Sequence, residues 1–210
     1  PAALHMTFSY FDTSISQEVL GDQLRPLQNP NGNNDDKSVT LTEIAARAQD
    51  EGFLTYHRAA GSIELVESLV AEGIPVITRT WLTDAEEIGH FRVVVGFDRD
   101  AQELIQDDSL QGDDLRFEYE AFDALWEPFS REFLIIVPPE RQATAESILG
   151  PYRDWGWSWQ LALQEAEARL EEDPNAIWLW SQAGLQKSCS RSGTSTPNPN
   201  RNGDGCISLI

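Results

Sequence analysis

Cysteine is nearly absent from this sequence of 210 residues: the two present, Cys189 and Cys206, both lie in a polar C-terminal stretch. Thiols so placed demand no disulfide framework, and with no helix opening beside them they lack the electropositive setting that makes a reactive thiolate. Basic residues are also scarce, 15 against 35 acidic ones for a formal net charge of −20. That balance excludes a nucleic-acid reader, which needs a basic footprint to neutralise phosphates. Long hydrophobic runs are missing too. The longest aliphatic stretches, Val93 to Val95 and Leu134 to Val137, fall far short of the roughly 20 residues a membrane helix needs, so no span is expected. No methionine opens the chain; it begins at Pro1 in an apolar pattern, and it is expected to be an internal piece of a longer protein, with any leader or anchor ahead of it.

What is present suffices for a core: 40% of residues are hydrophobic and 10% aromatic. Ala3, Leu4, Phe8 and Phe11 recur near helical spacing behind a proline that a first turn tolerates, which predicts a helix over residues 1–11. After an Asn, Gly and Asp loop from Asn29 to Lys37, Thr40 is placed to cap a helix over Leu41 to Glu51. A further helix over Ile63 to Glu72 ends at Gly73. Short runs rich in β-branched and aromatic residues then predict strands at 74–81, 90–97, 103–106, 115–119 and 133–137. Helices first and an antiparallel sheet second is an α+β order. Beyond Pro138 and Pro139 a helix is expected over Trp157 to Glu172 and another over Ala176 to Leu185. The tail from Ser188 has linker composition, dominated by Ser, Thr, Gly, Pro and Asn. Three segments result: residues 1–139, a helical appendage at 140–187 and a linker at 188–210.

The segment GHFRVVVGFDRDAQELIQDDS, residues 89–109, is the candidate for chemistry, the competing reading being a strand-end histidine beside an acidic loop with no catalytic role. A tight hairpin turn at Asp98 and Arg99 would set His90 directly opposite Asp107, with Cβ atoms about 4.5 to 5.5 Å apart. A carboxylate so placed fixes an imidazole tautomer and stabilises its charged form. A one-residue change in the turn would bring Asp108 opposite instead. His5 and His57 lack spaced partners and read as a helix-surface and a loop histidine. Trp155, Trp157 and Trp159 are expected to pack between elements, and the acidic stretch from Asp98 to Glu127 to form a solvated face that could favour cationic peptides.

These residues resemble a family. PAALHM looks like the continuation of the CGPAALxM helix start of papain-like, bacteriocin-processing (double-glycine) cysteine peptidases, and GIPVITRTW, GHFRVVVGFD and LIQDDS are similar to its later blocks, in order. The resemblance covers roughly residues 1 to 138. It implies a papain-like α+β fold, a peptide or protein substrate, no required metal or organic cofactor, a catalytic Cys just before Pro1, His90 as general base and Asp107 as its orienter. The chain departs from the pattern in lacking that Cys and the upstream Gln that donates to the oxyanion, and in following Asp107 with Asp108 rather than proline, which leaves the choice between the two aspartates open. Without the thiol this piece is expected to be inactive. The competing reading is a non-catalytic peptide-binding module.

Two further resemblances lie downstream. Leu163, Ala166, Leu170, Asp173, Pro174, Trp180, Ala183 and Gly184 follow the spacing of a tetratricopeptide unit, which would give the appendage a protein partner; an ordinary helical hairpin packed on the domain fits equally. NRNGDGCI, residues 200–207, resembles the first part of an EF-hand or dockerin-type calcium loop, with Asn200, Asn202 and Asp204 as ligands, although the twelfth-position carboxylate is absent. A flexible linker is the competing reading there. Together these features lean toward an exported or cell-surface bacterial protein.

Overall fold

The structure is a computed structural model that describes residues 1–25 and 39–172. The expected loop from Asn29 to Lys37, the helix over Ala176 to Leu185, both cysteines and the calcium-loop residues Asn200, Asn202 and Asp204 lie outside the described residues, as does the tetratricopeptide-like spacing from Asp173 onward.

The helices of the first third begin where side chains satisfy backbone donors. Helix α1 (Ala2–Tyr10) follows Pro1 and buries Ala3, Leu4, Thr7 and Phe8; the Thr7 hydroxyl, buried among them, donates to the Ala3 carbonyl at 2.9 Å. Helix α2 (Gln17–Leu24) is capped by Ser16. It had no place in the sequence reading, because QEVLGDQL is short, polar and interrupted by glycine. Helix α3 (Leu41–Asp50) opens with a capping box, Thr40 accepting from the Glu43 N–H while the Glu43 carboxylate accepts from the Thr40 N–H. Strand β1 (Leu54–Arg58) follows, then α4 (Ile63–Ala71), capped by Ser62 and closed at Gly73 with φ +68°.

Strands β2 (Val76–Thr83), β3 (Glu86–Asp98), β4 (Glu103–Asp108), β5 (Gly112–Glu118) and β6 (Phe133–Val137) join β1 in one six-stranded sheet of order β1-β6-β2-β3-β4-β5. Every pairing is antiparallel. One face packs Val76, Val94, Phe133 and Ile135 against α4, α5 (Tyr119–Trp126) and α6 (Gln142–Leu149); the other packs Ile77, Val93, Leu134 and Ile136 against α1 and α3. Helix α5 replaces the end of a predicted strand. The aromatic Phe117 and Tyr119 extend the strand pattern, and the Tyr119 N–H still donates in register to the Gln102 carbonyl at 2.8 Å, but the helix starts there.

Helix α6 starts just past residue 139, yet Ala145 and Leu149 belong to the same core as α4. Helix α7 (Trp155–Glu172) lays Ala162 on Ala59 and Ala60. Between them Arg58, almost wholly buried, donates to the carbonyls of Tyr152, His57 and Arg153. Burial lowers its pKa to about 10. Among the described residues no helix is long and apolar enough to cross a membrane.

Candidate active site

The β3–β4 hairpin decides which acid meets His90. Asp98 pairs with Glu103, so the loop is 99–102 rather than a tight turn at Asp98 and Arg99. That longer loop alone would leave Asp107 on the His90 face, because it displaces the pairing by an even number of positions. The register then shifts at Val95: Gly96 pairs with Ile105 but Val94 with Gln106 and Val93 with Asp107. This bulge flips the parity of everything beyond it. A glycine suits the place, since a Cβ on Gly96 would come within 3.2 Å of the Ile105 side chain. The expected pairing of His90 with Asp107 is therefore not formed, and Asp107 shares its face with Val93.

Asp108 takes the place beside His90. Its Oδ1 lies 2.9 Å from His90 Nε2, with the acid side chain 0% and the histidine side chain 14% exposed. The same Oδ1 accepts from the N–H groups of Leu110 at 2.7 Å and Gln111 at 3.1 Å, while Oδ2 lies 3.0 Å from Arg92 Nε. Burial pushes the Asp108 carboxyl up, but the Leu110 N–H, His90 and the Gln111 N–H outweigh it, and the group is held below the usual carboxylate range. Thr80 of β2 faces His90 across the ladder. The His90–Asp108 contact is a close charge contact rather than an aligned hydrogen bond.

Asp107 instead accepts from the Asp114 N–H at 3.2 Å. It lines an open cleft of about 300 Å³ with His5, Met6, Ser9, Tyr10, Val93 and Val95. His5 bonds through Nδ1 to the Ile15 carbonyl at 2.8 Å, which ties α1 to the following loop.

A second histidine–carboxylate pair escaped the sequence reading. His57 is not a loop residue: it lies in β1, buried, with Nε2 2.6 Å from Glu132 Oε1 and Nδ1 3.3 Å from the Thr42 hydroxyl. Glu132 also faces Arg79 at 3.8 Å. Burial raises the Glu132 carboxyl, yet His57 and Arg79 hold it below its ordinary value. Trp159 sets its ring edge to face with His57 at 5.7 Å, and Trp157 does the same with Tyr152 at 5.0 Å, so these two pack between elements, whereas Trp155 packs on Trp159 of its own helix. The pairing joins residues 75 apart in sequence, and no spacing rule reaches that far. No group of three or more His, Cys, Asp or Glu among the described residues could hold a metal ion.

This helix-first α+β domain, with one antiparallel sheet that carries a histidine and a buried aspartate on adjacent strands, has the fold of C39-like peptidase structures. The family model that matches is the Peptidase C39-like family, over residues 1–133, and the chain belongs to that family. Among solved structures, a Bacillus anthracis protein described as a C39-like peptidase is similar with a TM-score of 0.52 and 16% identity, over 64% of this chain and 86% of that one. That likeness shows the fold. The peptidase domain of Streptococcus ComA, a bifunctional ABC transporter of a quorum-sensing pathway, matches with a TM-score of 0.49 and 20% identity, over 65% of this chain and 88% of that one. No protein of the curated set matches.

Proposed function

We propose that this domain serves a cysteine peptidase in which His90 is the general base and Asp108 orients it, with the thiol on a cysteine two places ahead of Pro1, where PAALHM continues the family's helix start. The observation that carries the reading is that His90, of the GHxxVVxGxD block, lies 2.9 Å from Asp108 on the next strand. An ionised carboxylate only accepts hydrogen bonds, so a ring that turns to donate Nε2–H to Asp108 keeps its lone pair on Nδ1. His90 would draw the thiol proton to Nδ1, the thiolate would attack the scissile carbonyl, and the same proton would pass to the leaving amine as the C–N bond breaks. Water, deprotonated by His90, would then release the acyl group and restore the thiol. The substrate is a peptide or protein; the net charge of −20 favours a cationic one.

The test is a chain extended by Cys-Gly ahead of Pro1, assayed by mass spectrometry for cleavage of peptide substrates. His90→Ala is expected to abolish turnover with the fold retained, and Asp108→Asn to lower kcat by about 10²- to 10⁴-fold. Full activity in His90→Ala would remove the histidine from the mechanism. Peptide binding without cleavage in the unsubstituted extended chain would favour the binding module instead.

A further inference from the structure

Arg92 is the residue whose placement the peptidase reading leaves unexplained. It sits two positions from His90 in β3, on the same face, and its side chain is wholly buried. A guanidinium is expensive to bury and is tolerated only with partners. Arg92 has hydrogen-bond partners on both Nη atoms and a close charge contact, without hydrogen-bond alignment, at Nε. Nε meets Asp108 Oδ2 at 3.0 Å; Nη1 donates to the Thr80 hydroxyl and to the Trp81 carbonyl at 2.8 Å; Nη2 donates to the Leu82 carbonyl at 2.6 Å and the Gln111 side-chain oxygen at 3.3 Å. The Phe117 ring covers the group at 5.3 Å.

We propose that Arg92 is a positioning residue that acts through Asp108 to hold His90 in the base-competent tautomer. A carboxyl group beside an imidazole can take two roles. Ionised, it only accepts, and a hydrogen bond to it requires Nε2–H; protonated, it can donate to Nε2 and leave the proton on Nδ1, where no base remains, and turned away it no longer selects either tautomer. The fixed charge of Arg92 at Oδ2 disfavours protonation of the acid. Its planar fork, held by two strand-end carbonyls, stops the carboxylate turning away from His90. Thr80, which receives one arm of the fork, is also the residue facing His90 across the β2–β3 ladder. The same contacts thus fix the strand that flanks the histidine.

The inference rests on the peptidase reading for its purpose, but the tautomer can be measured without turnover. The chain has three histidines, and long-range ¹H–¹⁵N correlation spectra distinguish Nδ1–H from Nε2–H in each neutral ring; His5→Gln and His90→Gln assign them. In the unsubstituted chain His90 is expected to be Nε2–H. Arg92→Lys keeps a charge but not the fork, and should lower the ratio of Nε2–H to Nδ1–H by about tenfold, the effect of one lost charge-assisted contact. Unaltered His5 and His57 signals would show that the fold is kept. Thr80→Val, which removes one arm's acceptor without touching a charge, should move the ratio in the same direction and covers the case in which Arg92→Lys does not fold. An unchanged ratio in every folded variant would overturn the role of Arg92 and leave the peptidase reading standing. A His90 that is Nδ1–H in the unsubstituted chain would instead defeat the His90–Asp108 dyad itself.

Discussion

Neutralising the two neighbouring aspartates should have very different consequences, because the bulge at Val95 buries one and leaves the other at a cleft. In Asp108→Asn the fully buried guanidinium of Arg92 loses its counter-ion, and both side chains are 0% exposed. Breaking a buried ion pair from one side costs about 3–5 kcal/mol. Asparagine keeps the side-chain volume and an acceptor for the Leu110 and Gln111 N–H groups, while Arg92 keeps the Trp81 and Leu82 carbonyls. The loss should therefore lie near the lower limit, about 3 kcal/mol. Asp107→Asn removes only the charge of a half-buried side chain and keeps an acceptor for the Asp114 N–H, and a change within about 0.5 kcal/mol is expected. With an unfolding slope near 2 kcal/mol/M, the urea midpoint should fall by about 1.5 M in Asp108→Asn and by less than about 0.3 M in Asp107→Asn. Fluorescence of the seven tryptophans reports the transition. Equal shifts in the two variants would refute the assignment of faces, and a shift below about 0.3 M in Asp108→Asn would refute the argument from the buried pair.

Acid should unfold the domain partly through these same groups. Asp108 and Glu132 are both held below the usual carboxylate range, so the unfolded chain binds more protons; their stabilisation is complete above that range and is lost as pH falls through it and below. Asp108→Asn should flatten that acid limb in a plot of unfolding free energy against pH, and an unchanged slope would contradict the linkage. Gly61→Ala should destabilise by overpacking, since its Cβ would lie 2.5 Å from Trp126 Cη2 and 2.9 Å from Phe133 Cδ1, both on fully buried rings. A cost of about 2 kcal/mol or more corresponds to a melting temperature lower by roughly 4–8 °C; a scan within about 1 °C of the unsubstituted chain would show that the rings can yield.

Local chemistry made much of the fold readable. Thr40 with Glu43, and Gly73 after a helical run, are short-range signals, and the helices α3 and α4 begin and end where those residues say. The strand runs at β2, β3, β4 and β6 carry their own β-branched signature. Strand β1 does not: LTYHR becomes a strand because β6 offers a full row of backbone partners from Phe133 to Val137. Helix α6 is similar, drawn from an expected appendage into the core by Ala145 and Leu149.

His90, the histidine of the candidate site, was legible because a motif places it, and motifs are local. Its partner was not. Asp107 and Asp108 are adjacent and chemically identical, and side-chain direction in a strand alternates with every residue. The choice between them rests on the length of the loop 99–102 and on the bulge at Val95, which exist only once β3 and β4 are paired and twisted within the sheet. The same is true of Arg92, whose partners come from two other strands and the Gln111 turn, and of His57 with Glu132. Composition, charge, capping and the order of the blocks are properties of the chain as written. Which acid faces which histidine is a property of the register, and register is set by contacts between segments distant in sequence.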